Sequence, residues 1–201
     1  NEQVVHGIPN HREIKETDVV SIDIGVKLNG YYGDSAYSFG LNGINHDVEK
    51  LLIATKTSLF IGIDKAKVGN RIGDIGFAIQ NYIEKKSYQI VRELVGHGLG
   101  RNLHEGPEVP NYGKRGSGIK ILPGLVIAIE PMINMGTRKI VQLRDGWTVE
   151  TQDKSTSAHY ELMVATWNDK TEMLNSFEPI EAVEEKNRNL KKIKKEMLKL
   201  A

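Results

Sequence analysis

The sequence predicts an α+β fold in a single domain. Three observations carry this: strand-like runs outnumber helical stripes, two amphipathic helices stand among them, and an Asn-Gly turn joins two long β-rich runs near the start. A chain of 201 residues fits one domain with a sizeable core. The β-rich runs are VVSIDIGV (19–26) and YYGDSAYSF (31–39), and Asn29-Gly30 between them is the strongest short hairpin signal. Residues 45–67 place Val48, Leu51, Leu52, Leu59 and Ile63 on one helical stripe. Residues 73–87 read as a second helix, with Asp74 near its start. Further strand-like runs follow at 88–94, 125–131, 146–151 and 158–167, and the Gly- and Lys-rich stretch 111–120 reads as a surface loop. Between them lies ELVGHGLGRNLHEGPEVP (93–110), which holds His97 and His104 among four glycines and two prolines. Gly and Pro weaken strand and helix interiors, so this stretch reads as a loop that fixes two imidazoles.

Composition excludes several chemistries. With no cysteine there is no disulfide, thiol nucleophile or Cys-ligated zinc, which agrees with a cytoplasmic location. No apolar run reaches the length of a membrane span. HEGPE (104–108) is not a helical H-E-x-x-H zinc motif, and neither a G-x-S-x-G elbow nor a P-loop is present. Charge is uneven: residues 184–201 carry a net +4, leaving the remainder at −3. The expected organisation is therefore a body at 1–183 and a basic tail at 184–201. The chain opens at Asn1 rather than Met, so a preceding segment is expected, and its targeting content stays open.

Four carboxylates stand inside strand-like runs: Asp23, Asp34, Glu130 and Glu161. Asp and Glu are rarely buried without partners. With a two-residue turn at Asn29-Gly30, Gly25 faces Asp34, and Asp23 becomes a diagonal neighbour of Asp34 on the same face. Two bare carboxylates there repel, and a cation between them removes the conflict. Adding His97 gives five candidate ligands, a mix suited to Mn, Fe, Co or Zn and numerous enough for two divalent ions. Taken singly, each of these residues is more often a turn anchor, an edge residue or a structural histidine; the set is what points to metal.

The motifs NEQVVHGIP (1–9), SIDIGVKLNGYYGDSA (21–36), GHGLGRNLHEGPEVP (96–110), LPGLVIAIEPM (122–132), DGWTVET (145–151) and SAHYELMV (157–164) resemble type I methionine aminopeptidases in order and spacing. The resemblance implies the pita-bread fold, a pseudo-symmetric antiparallel sheet with helices packed on one side around a dinuclear metal centre. It implies removal of the N-terminal methionine of nascent polypeptides when the second residue is small, by attack of a metal-bridging water. Asp23 resembles the bidentate ligand of one metal, Asp34 and Glu161 the two bridging carboxylates, and His97 and Glu130 the ligands of the other metal. Glu130 also resembles the general base. His104 resembles the histidine at the scissile peptide, and His6 the one near the substrate's amino end. Trp147 and Leu103 fall at walls of the methionine pocket, Trp147 being equally readable as an ordinary core tryptophan. Val5, Leu103 and Leu162 depart from the usual Cys, Phe and His of the pattern. An Xaa-Pro peptidase of the same fold and a non-enzymatic pita-bread binding module are the rival readings. A monomer is expected.

In the tail, Leu190, Ile193, Met197 and Leu200 recur at helical spacing, so residues 185–200 are expected to form an amphipathic helix. Lys191, Lys192, Lys194, Lys195 and Lys199 would charge its remaining surface. Two readings stay open: a helix docked on the body or frayed, and a helix contacting ribosomal RNA.

Overall fold

The computed structural model describes residues 1–196. A short strand β1 (Gln3–Val5) precedes the hairpin of β2 (Val19–Leu28) and β3 (Tyr31–Gly40). The helices α1 (His46–Lys65) and α2 (Ile72–Lys85) come next. Short strands then run from β4 (Gln89–Ile90), β5 (Gly96–Gly98) and β6 (Glu105–Val109) to β7 (Val126–Ile129) and β8 (Met132–Asn134). The last strands are β9 (Ile140–Gln142), β10 (Val149–Thr151), β11 (Ser157–His159), β12 (Leu162–Thr166) and β13 (Thr171–Met173), and the helix α3 (Glu178–Lys186) follows them. The sheets are ordered β13-β12-β7-β5-β6, β1-β10-β9 and β11-β8-β4, beside the β2-β3 hairpin, and their pairings are antiparallel.

The hairpin has the expected register. Leu28 pairs Tyr31 and Gly25 pairs Asp34, while Asn29 and Gly30 have φ of 51° and 83°. Positive φ at both central residues is the turn that matches strand twist. Asn45 caps α1 by accepting from the backbone N–H groups of Asp47 (3.0 Å) and Val48 (2.9 Å). Asp74 accepts from the Arg71 N–H at 2.8 Å at the start of α2. Leu51, Leu52 and Leu59 of α1 and Ile75, Ile79 and Ile83 of α2 are fully buried and pack with Ile127, Ile129 and Ile133 of β7 and β8. The two helices thus cover the sheets from behind and leave the other face to the carboxylates.

Two expectations are corrected. The stretch 93–110 is not all loop: His97 sits in β5 and Glu105–Val109 form β6, inside the five-stranded sheet. The glycines are there because backbones touch. A Cβ on Gly96 would meet the Ala128 carbonyl oxygen at 2.5 Å, and one on Gly98 the Gly106 oxygen at 2.2 Å. The helix expected over 185–200 is not formed across 187–196 either; α3 lies earlier and ends at Lys186. Beyond it one turn is closed by the Leu190 N–H on the Asn187 carbonyl (3.1 Å), and the other backbone bonds reach the body. Lys191 N–H donates to the Gly40 carbonyl (2.8 Å), Asn42 N–H to Asn189 (3.0 Å), and Glu196 N–H to the Thr57 hydroxyl (2.9 Å). Ile193 is buried in the core. Met197, Lys199 and Leu200 lie outside the described residues. Among the described residues no helix is long and apolar enough to cross a membrane.

Candidate metal centre

Each candidate ligand is delivered by a different local device. Asp34 comes from β3 opposite Gly25, where a Cβ would sit 3.9 Å from the Asp34 carboxylate, so glycine keeps that spot open. Asn175 donates to the Asp34 carbonyl (2.9 Å) and accepts from the Met163 N–H (2.8 Å), tying β3 to β12. Glu161 lies in the break between β11 and β12, where its N–H donates to the Ala36 carbonyl at 2.9 Å. Glu130 follows the buried end of β7, and Asn111 donates to its carbonyl at 3.0 Å.

Asp34, His97 and Glu161 each offer a ligand atom within 4.8 Å of one another. His97 Nε2 is 3.8 Å from Asp34 Oδ2 and 3.5 Å from Glu130 Oε1. His97 Nδ1 lies 2.9 Å from the Gly98 carbonyl oxygen. A carbonyl only accepts, so the ring proton belongs on Nδ1, and the Nε2 lone pair faces the carboxylates as a metal ligand requires. Asp34, His97, Glu130 and Glu161 are buried, whereas Asp23 is exposed. All five line one cavity of about 430 Å³ together with His6 and His104. Val5, Leu94, Val95 and Met132 form its apolar part.

The electrostatics are those of crowded carboxylates. Burial pushes the Asp34 carboxyl up to about 6, and the Asp23 and Glu130 charges add to this against the pull of His97. Burial drives Glu161 well above the usual carboxylate range, reinforced by Glu130, Asp34 and Asp23. Burial, then His97, lower His104, so it is uncharged at neutral pH and keeps an N–H to donate. Its ring stands edge-on to His97, with centroids 4.3 Å apart at 71°.

Two expected pocket residues stand aside from this cavity. Trp147 is 56% exposed and does not line the cavity; it stacks on His6, which does, at 4.4 Å and 16°. Leu103 packs over Gly25, its Cδ1 being 3.4 Å from where a Cβ would lie. Sequence reasoning missed Asn111, Asn175 and His159. For His159 a signal existed, because it stands two residues before Glu161 in a strand-like run.

The profile of metallopeptidase family M24 matches residues 1–166. The chain belongs to this family. A methionine aminopeptidase of Clostridium perfringens is 51% identical over 174 residues, covering 87% of this M24 chain and 70% of that protein. Methionine aminopeptidase 1 of Bacillus subtilis is 49% identical over 165 residues, covering 82% and 66%. The M24 chain thus spans about two thirds of the length of such relatives. Among solved structures, methionine aminopeptidase from Rickettsia prowazekii superposes with a TM-score of 0.84 at 40% identity, over 86% of this chain and 70% of that one. A Pyrococcus furiosus prolidase superposes at 0.69 with 21% identity over 85% and 45%, a likeness of fold alone. The α+β, pita-bread architecture expected from the sequence is therefore present.

The donor set fits the divalent metal that a metallopeptidase needs. Buried carboxylates that repel one another, beside an imidazole whose lone pair is turned toward them, lack a positive charge among them. This gives the M24 chain a testable signature. Without metal, protonating Asp34 relieves the strain: that stability is present below its unfolded value of 3.8 and is lost as pH rises through about 6. A divalent ion restores it only where the carboxylates are deprotonated. Mn²⁺ at about 100 times its Kd should stabilise by about 2.7 kcal/mol, raising the unfolding midpoint by roughly 5–11 °C. Thermal scans at pH 7.5 and 5.5 check it, the larger metal shift being expected at pH 7.5.

Proposed function

We propose that this chain is a methionine aminopeptidase that removes the N-terminal methionine of nascent proteins in the cytoplasm when the second residue is small. The observation that carries the proposal is one cavity in which the buried Asp34-His97-Glu161 group adjoins His104, His6 and an apolar wall. Asp23, Asp34, His97, Glu130 and Glu161 would hold two divalent ions drawn from Co, Mn, Fe or Zn. When bound, such ions acidify water and offset the carboxylate repulsion.

The protein's own groups do the rest. A Glu130 carboxylate oxygen accepts the proton of the attacking water and returns it to the departing amide nitrogen. The His104 N–H donates to the carbonyl oxygen as negative charge develops there. His6 sits on the same cavity where the substrate's amino end would lie, and Val5, Leu94, Val95 and Met132 offer an unbranched thioether a surface without charge. Trp147 and Leu103 complete the surroundings from outside.

The deciding experiment is hydrolysis of a Met-Gly-type and a Gly-Pro-type peptide, each with and without a chelator. Chelator-sensitive release of Met alone supports the proposal, and preferential cleavage of the Gly-Pro peptide would move the protein to the Xaa-Pro peptidases. His104→Ala should lower kcat by about 100–1,000-fold with KM little changed, as steady-state kinetics would show. A change confined to KM would make His104 a binding residue only. Ribosome contact through the tail is a separate proposal with less free charge behind it than expected. Lys191 pairs with Glu49 at 3.3 Å, and Lys192 and Lys194 pair with Glu185 at 3.4 and 3.0 Å. Co-sedimentation with ribosomes, with and without residues 184–201, tests it.

A further inference from the structure

His159 ends β11, and its side chain is almost completely enclosed, at 2% exposure. Its backbone is fixed on both sides by one residue: its N–H donates to the Ser38 hydroxyl (2.9 Å), and that hydroxyl donates to its carbonyl (2.8 Å). Its ring Nε2 is buried without a hydrogen-bond partner and points at Glu130 Oε2, 3.6 Å away. Glu130 thus lies between two imidazoles, with His97 Nε2 at 3.5 Å from its other oxygen, Oε1. The two rings are not equivalent. The His97 proton is committed to the Gly98 carbonyl, so its Nε2 has none to give Glu130. His159 Nε2 has no such commitment.

We propose that His159 is a positioning residue for Glu130: with its ring proton on Nε2, it donates to Oε2 and holds the carboxylate so that Oε1 is presented beside His97. An enclosed ring nitrogen left without a partner carries its full desolvation cost, so forming this bond is favoured. The 3.6 Å separation is too long for a hydrogen bond and needs to close by roughly 0.4–0.9 Å to reach the normal range. The terminal torsion of a Glu side chain is broad and supplies that movement cheaply. Outer hydrogen bonds of this kind set the orientation of ligating carboxylates. The proposal rests on the reading of Glu130 as ligand and base.

The test compares His159→Leu, which removes the donor, with His159→Gln, which keeps an N–H of similar reach. Three readouts are taken: kinetics on a Met-Gly peptide at saturating Mn²⁺, calorimetric titration with Mn²⁺, and the thermal midpoint. The Leu variant should stay folded, lose about 10–100-fold in kcat with KM unchanged, and bind Mn²⁺ about 10–100-fold more weakly at unaltered stoichiometry. Gln should restore both to within a few-fold. Should the Leu variant fail to fold, His159→Asn replaces it, since its amide is one methylene too short to reach Glu130; Asn impaired and Gln active is then the expected pair. Full kcat and full Mn²⁺ affinity without the donor would overturn the proposal and leave His159 as packing. Loss of one bound Mn²⁺ in both the Leu and Gln variants would also overturn it, making His159 a ligand. If the parent protein releases no Met while the calorimetry still follows the donor, the functional reading fails and the positioning of Glu130 stands.

Discussion

Glu130→Gln should lower turnover by at least about 100-fold, the low end for losing a general base, while the protein stays folded and still binds metal. The amide matches the carboxylate in shape, keeps one oxygen as a ligand, and cannot take a proton from water. The backbone around it is independent of the side-chain charge: Ile127, Ala128 and Ile129 are fully buried, and Asn111 holds the Glu130 carbonyl at 3.0 Å. Asp34→Ala and Glu161→Ala form the contrasting pair. Each removes a carboxylate from the Asp34-His97-Glu161 group, so metal binding and turnover should fall together. Steady-state kinetics on a Met-Gly peptide, run beside calorimetric Mn²⁺ titrations, separate the cases. Unchanged turnover in Glu130→Gln would remove Glu130 from the chemistry. Loss of all metal in that variant would make it a ligand first and leave the base to be found elsewhere.

The parts of this site that were legible in the sequence are those set by local geometry. The Asn29-Gly30 turn fixes the hairpin register, and the register alone puts Asp34 opposite Gly25 with Asp23 on the same face. Carboxylates in apolar runs, Glu130 after LVIAI and Glu161 after Tyr160, stand out because that surrounding is costly without a partner. What was illegible depends on contacts between distant segments. The Gly96 and Gly98 positions look unfit for a strand until the backbones of Ala128 and Gly106 are seen pressed against them. Three-residue strands such as β9 and β13 are too short for a period of two to show. EPIEAVEEK of α3 carries too little apolar character to read as an amphipathic helix, whereas 185–200 has the right spacing, but in the described part beyond Lys186 the Lys191 and Glu196 N–H groups donate to Gly40 of β3 and Thr57 of α1 instead. Lys56 shows the limit most sharply: a lysine in a helix reads as a solvent position, yet this one is fully enclosed.

Lys56→Met should destabilise the fold by up to about 3–5 kcal/mol, the cost of breaking a fully buried ionic contact from one side, equivalent to at most roughly 6–20 °C in the unfolding midpoint; Glu181 is 45% exposed and regains part of its hydration. The ammonium has three protons and three partners: Tyr37 Oη at 2.8 Å, the Ile193 carbonyl at 2.6 Å and Glu181 Oε1 at 2.8 Å. It also lies over the Tyr37 ring, 4.7 Å from its centroid. Two of these partners, Ile193 and Glu181, come from the chain beyond residue 177, so one lysine of α1 fastens the last described segment to the body. Burial lowers the Lys56 pKa, and the bonded and charged Glu181 opposes that shift, which is how the charge survives at the site. Methionine fills the space but donates nothing, leaving Glu184, 3% exposed and already raised by burial, without the nearby cation. A carboxyl raised in the folded state keeps its stability below the unfolded pKa and loses it as pH climbs through the folded value. The penalty of Lys56→Met should therefore be smaller at pH 5 than at pH 8, and adding Glu184→Gln should recover part of it at pH 8. Thermal unfolding of the parent, the single variant and the double variant at both pH values measures this. A loss below about 1 kcal/mol, as for an exposed pair, would show that Lys56 does not hold the segment. A full loss with no recovery in the double variant would place the cost in the Ile193 and Tyr37 contacts instead.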